Sequence, residues 1–149
     1  MQYTCLDIQK KVLEKLQGDP TLSSYVKQFG IGEENISRKF FPYVTVASVT
    51  EEVEPLCFGV GAPDLHRYRI TILGGTNSLL PEVARAGNNS GVKGVVHLMD
   101  DIISAIYPGT IDGVFKNTLH LEKASYTTAE KSAGRTWIAG IIFRGIRKF

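Results

Sequence analysis

The chain has short apolar runs, few cysteines and little net charge, and each shortage excludes a class of protein. Short apolar runs exclude a transmembrane helix, which needs about 20 apolar residues in succession. Asp7, Lys10 and Lys11 stand where a secretory signal would have its apolar centre, so we expect no signal peptide. A net charge of +2 gives no argument for nucleic-acid binding. The 149 residues suit one domain, and we expect a single domain over 1–149.

Residue patterns for catalysis or metal binding are also scarce. Cys5 and Cys57 form no CxxC motif and no zinc-ligand spacing, so we expect free, buried thiols. His66, His97 and His120 each lack a second ligand within four residues. There is no G-x-S-x-G nucleophile motif and no phosphate-binding glycine loop with its lysine. The sequence therefore predicts no enzyme, no cofactor and no metal. A pocket formed by Tyr43, His66 and His120 stays open as an alternative.

Helical patterns occur in three places. Thr4 and Asp7 form a capping-box start, and apolar residues from Leu6 to Leu16 follow at helical spacing until Gly18. Asp19 and Pro20 then suit the start of a short helix, which we predict to reach Gln28. Val95–Ile106 repeats apolar residues at three- and four-residue intervals and predicts a long amphipathic helix.

Four segments read as strands. They are the β-branched run Phe41–Val49, the alternating run His66–Leu73, and the C-terminal runs Val114–Tyr126 and Thr136–Arg147. We expect an acidic turn at Glu51–Glu54 and a long Gly/Asn-rich loop over 76–93, interrupted by a helical turn. The fold class is α+β, with a largely antiparallel sheet of about four or more strands and helices packed on one face.

This layout resembles the tail-terminator (tail-completion, minor tail) proteins of long-tailed bacteriophages. The resemblance lies in the N-terminal helix Leu6–Leu16, the Asp19–Leu22 segment, the Phe41-Pro42-Tyr43-Val44 strand entry, the strand Arg67–Ile72, the helix Val95–Ile106 and the paired C-terminal strands. Nearly all of the chain fits the layout, by arrangement of elements and not by a signature motif. The segment 76–93 is longer than this family's pattern suggests.

The resemblance implies a structural virion protein without catalysis. Such proteins form a ring, typically a hexamer, that caps the last ring of the tail tube and offers a surface for head docking. The implied partners are further copies of the chain, the tail tube protein and a head-completion or connector protein, with DNA passing through the lumen without sequence-specific binding. The protein would be assembled in the host cytoplasm and reside in the virion at the head–tail junction, with no membrane partner. A head-completion or neck protein is the alternative, and a small ligand-binding, enzymatic or nucleic-acid-binding domain is a more distant one.

Subunit contacts around a ring need two different complementary patches, because each contact is head-to-tail. Residues 1–75 carry 8 basic and 9 acidic side chains and residues 76–149 carry 9 and 6, which is compatible with surfaces of different charge. By analogy with the family, the candidate subunit or tube contacts are Glu51, Glu52, Glu54, Arg67 and Arg69, followed by Asn88, Asn89, Arg144, Arg147 and Lys148.

Overall fold

The computed structural model describes 4–32, 40–55, 64–107, 109–111, 114–116, 118–129 and 132–148, with Lys148 described in its backbone only. Cys57 lies outside these residues. The elements are, in chain order, α1 (Cys5–Gln17), α2 (Pro20–Ser23), β1 (Gln28–Ile31), β2 (Tyr43–Pro55), β3 (Asp64–Asn77), α3 (Pro81–Ala86), α4 (Val95–Ile106), β4 (His120–Thr128) and β5 (Thr136–Lys148). Across the described ranges, no helix has the length and apolar character needed to cross a membrane.

The strands form one five-stranded sheet in the order β1-β2-β3-β5-β4. β1 pairs with β2 in parallel, and every other neighbouring pair is antiparallel. The helices α1 and α4 pack on one face, where Ile70, Ile72 and Ile141 of the central strands are buried. The predicted α+β class, the largely antiparallel sheet and the packing of helices on one face are confirmed.

The long helices follow their local sequence signals. Thr4 caps α1: its hydroxyl accepts from the backbone N–H of Asp7, and the Asp7 carboxylate accepts from the backbone N–H of Thr4. Two of the N–H groups that lack partners at a helix start are satisfied in this way. The helix α4 spans the predicted residues and lies so close to β3 that a Cβ at Gly74 would stand 2.9 Å from Leu98 Cδ2.

The predicted helix from Asp19 to Gln28 is wrong in its second half. It ends at Ser23, and the chain then enters β1, which the sequence did not predict. Hydrogen bonds to a distant segment account for this: Lys27 N donates to Pro42 O at 2.8 Å, and Gly32 N donates to Val46 O at 2.9 Å. A strand partner supplied from elsewhere in the chain outweighs the weak local helical pattern.

The predicted acidic turn at Glu51–Glu54 is also wrong, because these residues belong to β2. They pair with β3 in regular antiparallel register from Glu51 opposite Tyr68 to Pro55 opposite Asp64. The alternation predicted for β3 is confirmed, since Tyr68 and Ile70 face the helices while Arg67 and Arg69 face away.

Two further boundaries differ from the prediction. The strand predicted from Val114 begins at His120 as β4, and before it Phe115 forms an isolated bridge with Ile111. The segment 76–93, predicted as a loop, begins with the last two residues of β3, and the helical turn predicted within it is confirmed as the helix α3. Pro81 begins α3, as its fixed φ favours at a first helical position.

Candidate assembly surface

On one face of the sheet none of the described helices packs, and this face presents a row of charged side chains; we call it the open face. Arg69 lies directly opposite Arg144 in the pairing of β3 with β5. Glu122 of β4 contacts both: Arg69 Nε and Nη2 each donate to its carboxylate at 3.0 Å, and Arg144 Nε lies 4.0 Å from it. The register shift between Leu121 and Lys123 breaks the alternation of β4, so that Glu122 and Lys123 both lie on the same face as the two arginines.

A second ion pair lies nearer the hairpin end of the open face. Arg67 Nη2 stands 3.2 Å from Glu54 Oε2, across the β2–β3 pair. Both side chains are about half exposed, at 45% and 61%, so the pair is a surface pair worth about 0–1 kcal/mol. The open face thus brings together five of the candidate residues, namely Glu52, Glu54, Arg67, Arg69 and Arg144.

Two exposed charges on the open face take part in no ion pair with the part of the chain that the structure describes. Glu52 is opposite Arg67 in register but forms no salt bridge with it there, and Lys123 lies opposite Ile142 on β4. Lys123 was not among the predicted site residues, nor was Glu122. Strand alternation alone could not place these neighbours, because the bulge between them breaks it.

Glu51 faces the opposite side, under the start of α1. It contacts His66 Nδ1 and accepts a hydrogen bond from the Tyr68 hydroxyl at 3.1 Å, while Cys5 Sγ lies 4.0 Å from its carboxylate. Burial, reinforced by the hydrogen bond to Glu51, raises the pKa of Tyr68 to about 12. Burial also raises the pKa of the Cys5 thiol, with a smaller contribution from the Glu51 carboxylate. A cysteine held in its thiol form is a poor nucleophile.

The remaining candidates are spread over the molecule. Arg147 lies opposite His66 in the β3–β5 register and therefore belongs to the helix-facing side, near Glu51. Asn88 accepts from the backbone N–H groups of Ser90 and Val92 at 3.0 and 3.1 Å, which stabilises its own turn. Asn89 is exposed in the same turn, and the backbone of Lys148 pairs opposite Leu65.

The pocket considered as an alternative does not form. Tyr43 lies opposite Gly75, where its ring occupies the space that a Cβ of that glycine would fill. His66 is nine residues further along β3, roughly 30 Å away at the rise of an extended strand, and contacts Glu51. Among the described residues no cluster of three or more histidine, cysteine, aspartate or glutamate side chains could hold a metal ion.

An apolar groove lies between the end of α4 and the start of β4. Its volume is about 380 Å³, and its walls include Ile103, Tyr107, Leu121 and Phe143. Tyr107 is 80% exposed and Leu121 46% exposed. Large apolar side chains that are exposed together on neighbouring elements are typical of a surface that is covered by a partner.

The comparisons with known proteins show a likeness to a solved structure. No protein-family model matches the chain, and no curated protein matches it. A chain in the solved structure of the virion of a native gene transfer agent (GTA) particle is similar, with a TM-score of 0.54 and 16% sequence identity over 99% of this chain and 100% of that chain. At this identity the likeness shows a shared fold.

Proposed function

We propose that this chain is a structural protein of a virion and acts as a tail terminator: it forms a ring that caps the tail tube and offers a surface for head docking. The observation that carries the proposal is the fold shared with a chain of the gene transfer agent virion, which extends over both chains almost completely. The resemblance of the element layout to the tail-terminator family supports the same role.

The charged open face supports a role in assembly. A stack of rings continues as long as each ring presents the face that the next one matches, and it ends at a ring whose outer face does not match. Cross-strand ion pairs join Glu54 to Arg67, and Glu122 to Arg69 and Arg144. We assign these charges, together with Glu52, to contacts between subunits or with the tube protein.

The candidates outside the open face take different parts in the proposal. Glu51 and Arg147 act indirectly, because both contact Tyr68 on the helix-facing side of the sheet and so help to hold β2 and β5 against β3 there. The exposed Asn89 turn and the β5 end at Lys148 are peripheral contacts in the assembled ring.

The test is the mass of the purified protein by light scattering over a range of concentrations, alone and with tail tubes. A ring of about six subunits, or a monomer that becomes a ring on tubes, is the expected result. Co-sedimentation with tubes and separately with portal-side proteins distinguishes a terminator from a neck protein. A monomer that ignores tubes and binds only portal-side protein contradicts the terminator role.

A further inference from the structure

As far as the described residues go, the sheet has an unpaired strand edge on each of two opposite sides. At one side, β1 covers β2 only over Tyr43–Val46, and no described strand pairs with the outer edge of β2 over 47–55. At the other side, β4 is the outermost strand of the described sheet, and eight of its nine residues are exposed. An exposed edge is a template for pairing with another strand.

The directions of the outer strands allow copies that are related by rotation to pair edge to edge. The strands β2, β3, β5 and β4 alternate in direction, so the two outer strands β2 and β4 run in opposite directions. When a second copy is placed beside the first by rotation, its β2 therefore runs antiparallel to the β4 of the first. Such a head-to-tail contact generates a ring if the rotation closes.

We infer that β4 of one copy pairs antiparallel with residues 47–55 of β2 in the next copy, so that the sheets of neighbouring copies are continuous. The inference rests on the proposed ring. Both segments are nine residues long, and aligning their centres places Ala124 opposite Glu51 of the neighbour. Both of these residues lie on the helix-facing side, so the alignment satisfies the alternation of faces.

The same alignment brings complementary side chains together. Lys123 comes to lie opposite Glu52 of the neighbour, both on the open face and both without an ion pair in the described chain. Beyond the bulge at Glu122, Leu121 meets Val53 of the neighbour on the helix-facing side. These two side chains are 46% and 55% exposed in the single chain.

The stagger of this pairing fits a closed ring. Ala124 pairs with Ile141 of β5, which in turn pairs with Ile72 of β3. Glu51 pairs with Tyr68, which lies four residues before Ile72 on β3. The offset of four residues is about 13 Å at the rise of a strand. Across four strands spaced about 4.8 Å apart, it corresponds to a strand tilt of about 35°, at the lower end of the range of closed barrels.

Cysteine cross-linking tests the pairing on the full chain. Glu52→Cys and Lys123→Cys are introduced together in a background with Cys5→Ser and Cys57→Ser. Within one chain these positions are separated by three strand spacings, about 14 Å, whereas a disulfide needs Cα atoms within about 7 Å. Oxidation should therefore give only intermolecular products, a ladder that ends at the size of the ring. The matched control, Val53→Cys with Lys123→Cys, places the thiols on opposite faces and should give at least ten-fold less cross-linking.

Charge exchange supplies the second readout. Glu52→Lys and Lys123→Glu should each reduce ring formation about ten-fold or more, and the double exchange should restore it. If the wild-type chain forms rings but neither the cross-link nor the rescue appears, the strand pairing is refuted and the proposed ring stands. If the cysteine at position 123 cross-links only to tube protein, the strand that pairs with β4 belongs to the tube protein and not to a second copy of this chain, and the inference is refuted. A wild-type chain that forms no ring, alone or on tubes, overturns both proposals.

Discussion

The Tyr68 hydroxyl gives a sharp prediction about stability in alkali. Its pKa is raised to about 12 by burial and by its hydrogen bond to Glu51, whereas a tyrosine in the unfolded chain ionises near 10. The folded protein thus holds this proton more tightly than the unfolded chain. The resulting stabilisation is complete below about pH 10 and is lost as the pH rises towards 12.

The magnitude follows from the same shift. Between about pH 8 and pH 11.5, the unfolded chain gains about 2 kcal/mol from ionising this tyrosine while the folded protein remains mostly protonated there. In Tyr68→Phe this contribution is absent. Near pH 8 the substitution should cost about 1.5–3 kcal/mol, the value of a hydrogen bond to a charged acceptor. The difference in unfolding free energy between the two proteins should therefore decrease by about 2 kcal/mol over the interval.

Urea denaturation of both proteins at several pH values measures this difference directly. The pKa values of Tyr25 and Tyr43 are also raised, but these tyrosines are present in both proteins, so their titration cancels in the comparison. Parallel curves for wild type and Tyr68→Phe from about pH 8 to 11.5 would refute the reasoning, because they would mean that the hydroxyl ionises equally easily in the folded and unfolded chains.

Two further predictions concern packing and helix capping. Gly145→Ala places a Cβ 2.5 Å from the Phe115 ring and should lower the unfolding free energy by about 1–3 kcal/mol; Gly140→Ala on the same strand meets nothing closer than 3.8 Å and should change it by less than about 0.5 kcal/mol. Equal denaturation midpoints for the two variants would contradict this. Thr4→Ala removes the hydroxyl that accepts from Asp7 N and should cost about 1 kcal/mol in the same assay, with Thr4→Ser close to wild type; an equal loss in both variants would argue against the cap.

The elements that the sequence predicts well are those whose signals are local. Thr4 and Asp7 identify the start of α1, the apolar spacing of Val95–Ile106 identifies α4, and the alternation around Ile70 identifies the faces of β3. Each of these patterns contains, within a dozen residues, the information that decides the structure.

The elements that it misses depend on distant partners. The strand β1 exists because Gln28–Ile31 lies beside β2, and Tyr25, Val26 and Phe29 have a spacing that a helix would satisfy equally well. The glutamates from Glu51 to Glu54 look like a turn because neither face of β2 is deeply covered there, while pairing with β3 holds them extended. Burial and partner strands outweigh propensity in both places.

The candidate site was predictable where it depends on the local pattern of a single strand, and not where it depends on pairing between distant strands. Charged residues on alternate positions of β3 and β5 identify Arg67, Arg69 and Arg144 as members of a polar sheet face. That Glu122 would lie between two of them depends on a pairing across 53 residues and on the bulge in β4. No spacing in the sequence contains that information.

The junction between β3 and β5 has a consequence for how the chain folds. Residues that meet there are far apart in sequence, as in Ile72 opposite Ile141, whereas β2–β3 and β4–β5 are each formed by near neighbours along the chain. Contacts between distant residues form late, because a long loop must first be closed. The sheet therefore consists of two antiparallel pairs, β2–β3 and β4–β5, which are joined by the pairing of β3 with β5. The helices α3 and α4 lie in the segment that connects the two pairs along the chain. The pairing of β3 with β5 is therefore expected to form after each of these two pairs has formed.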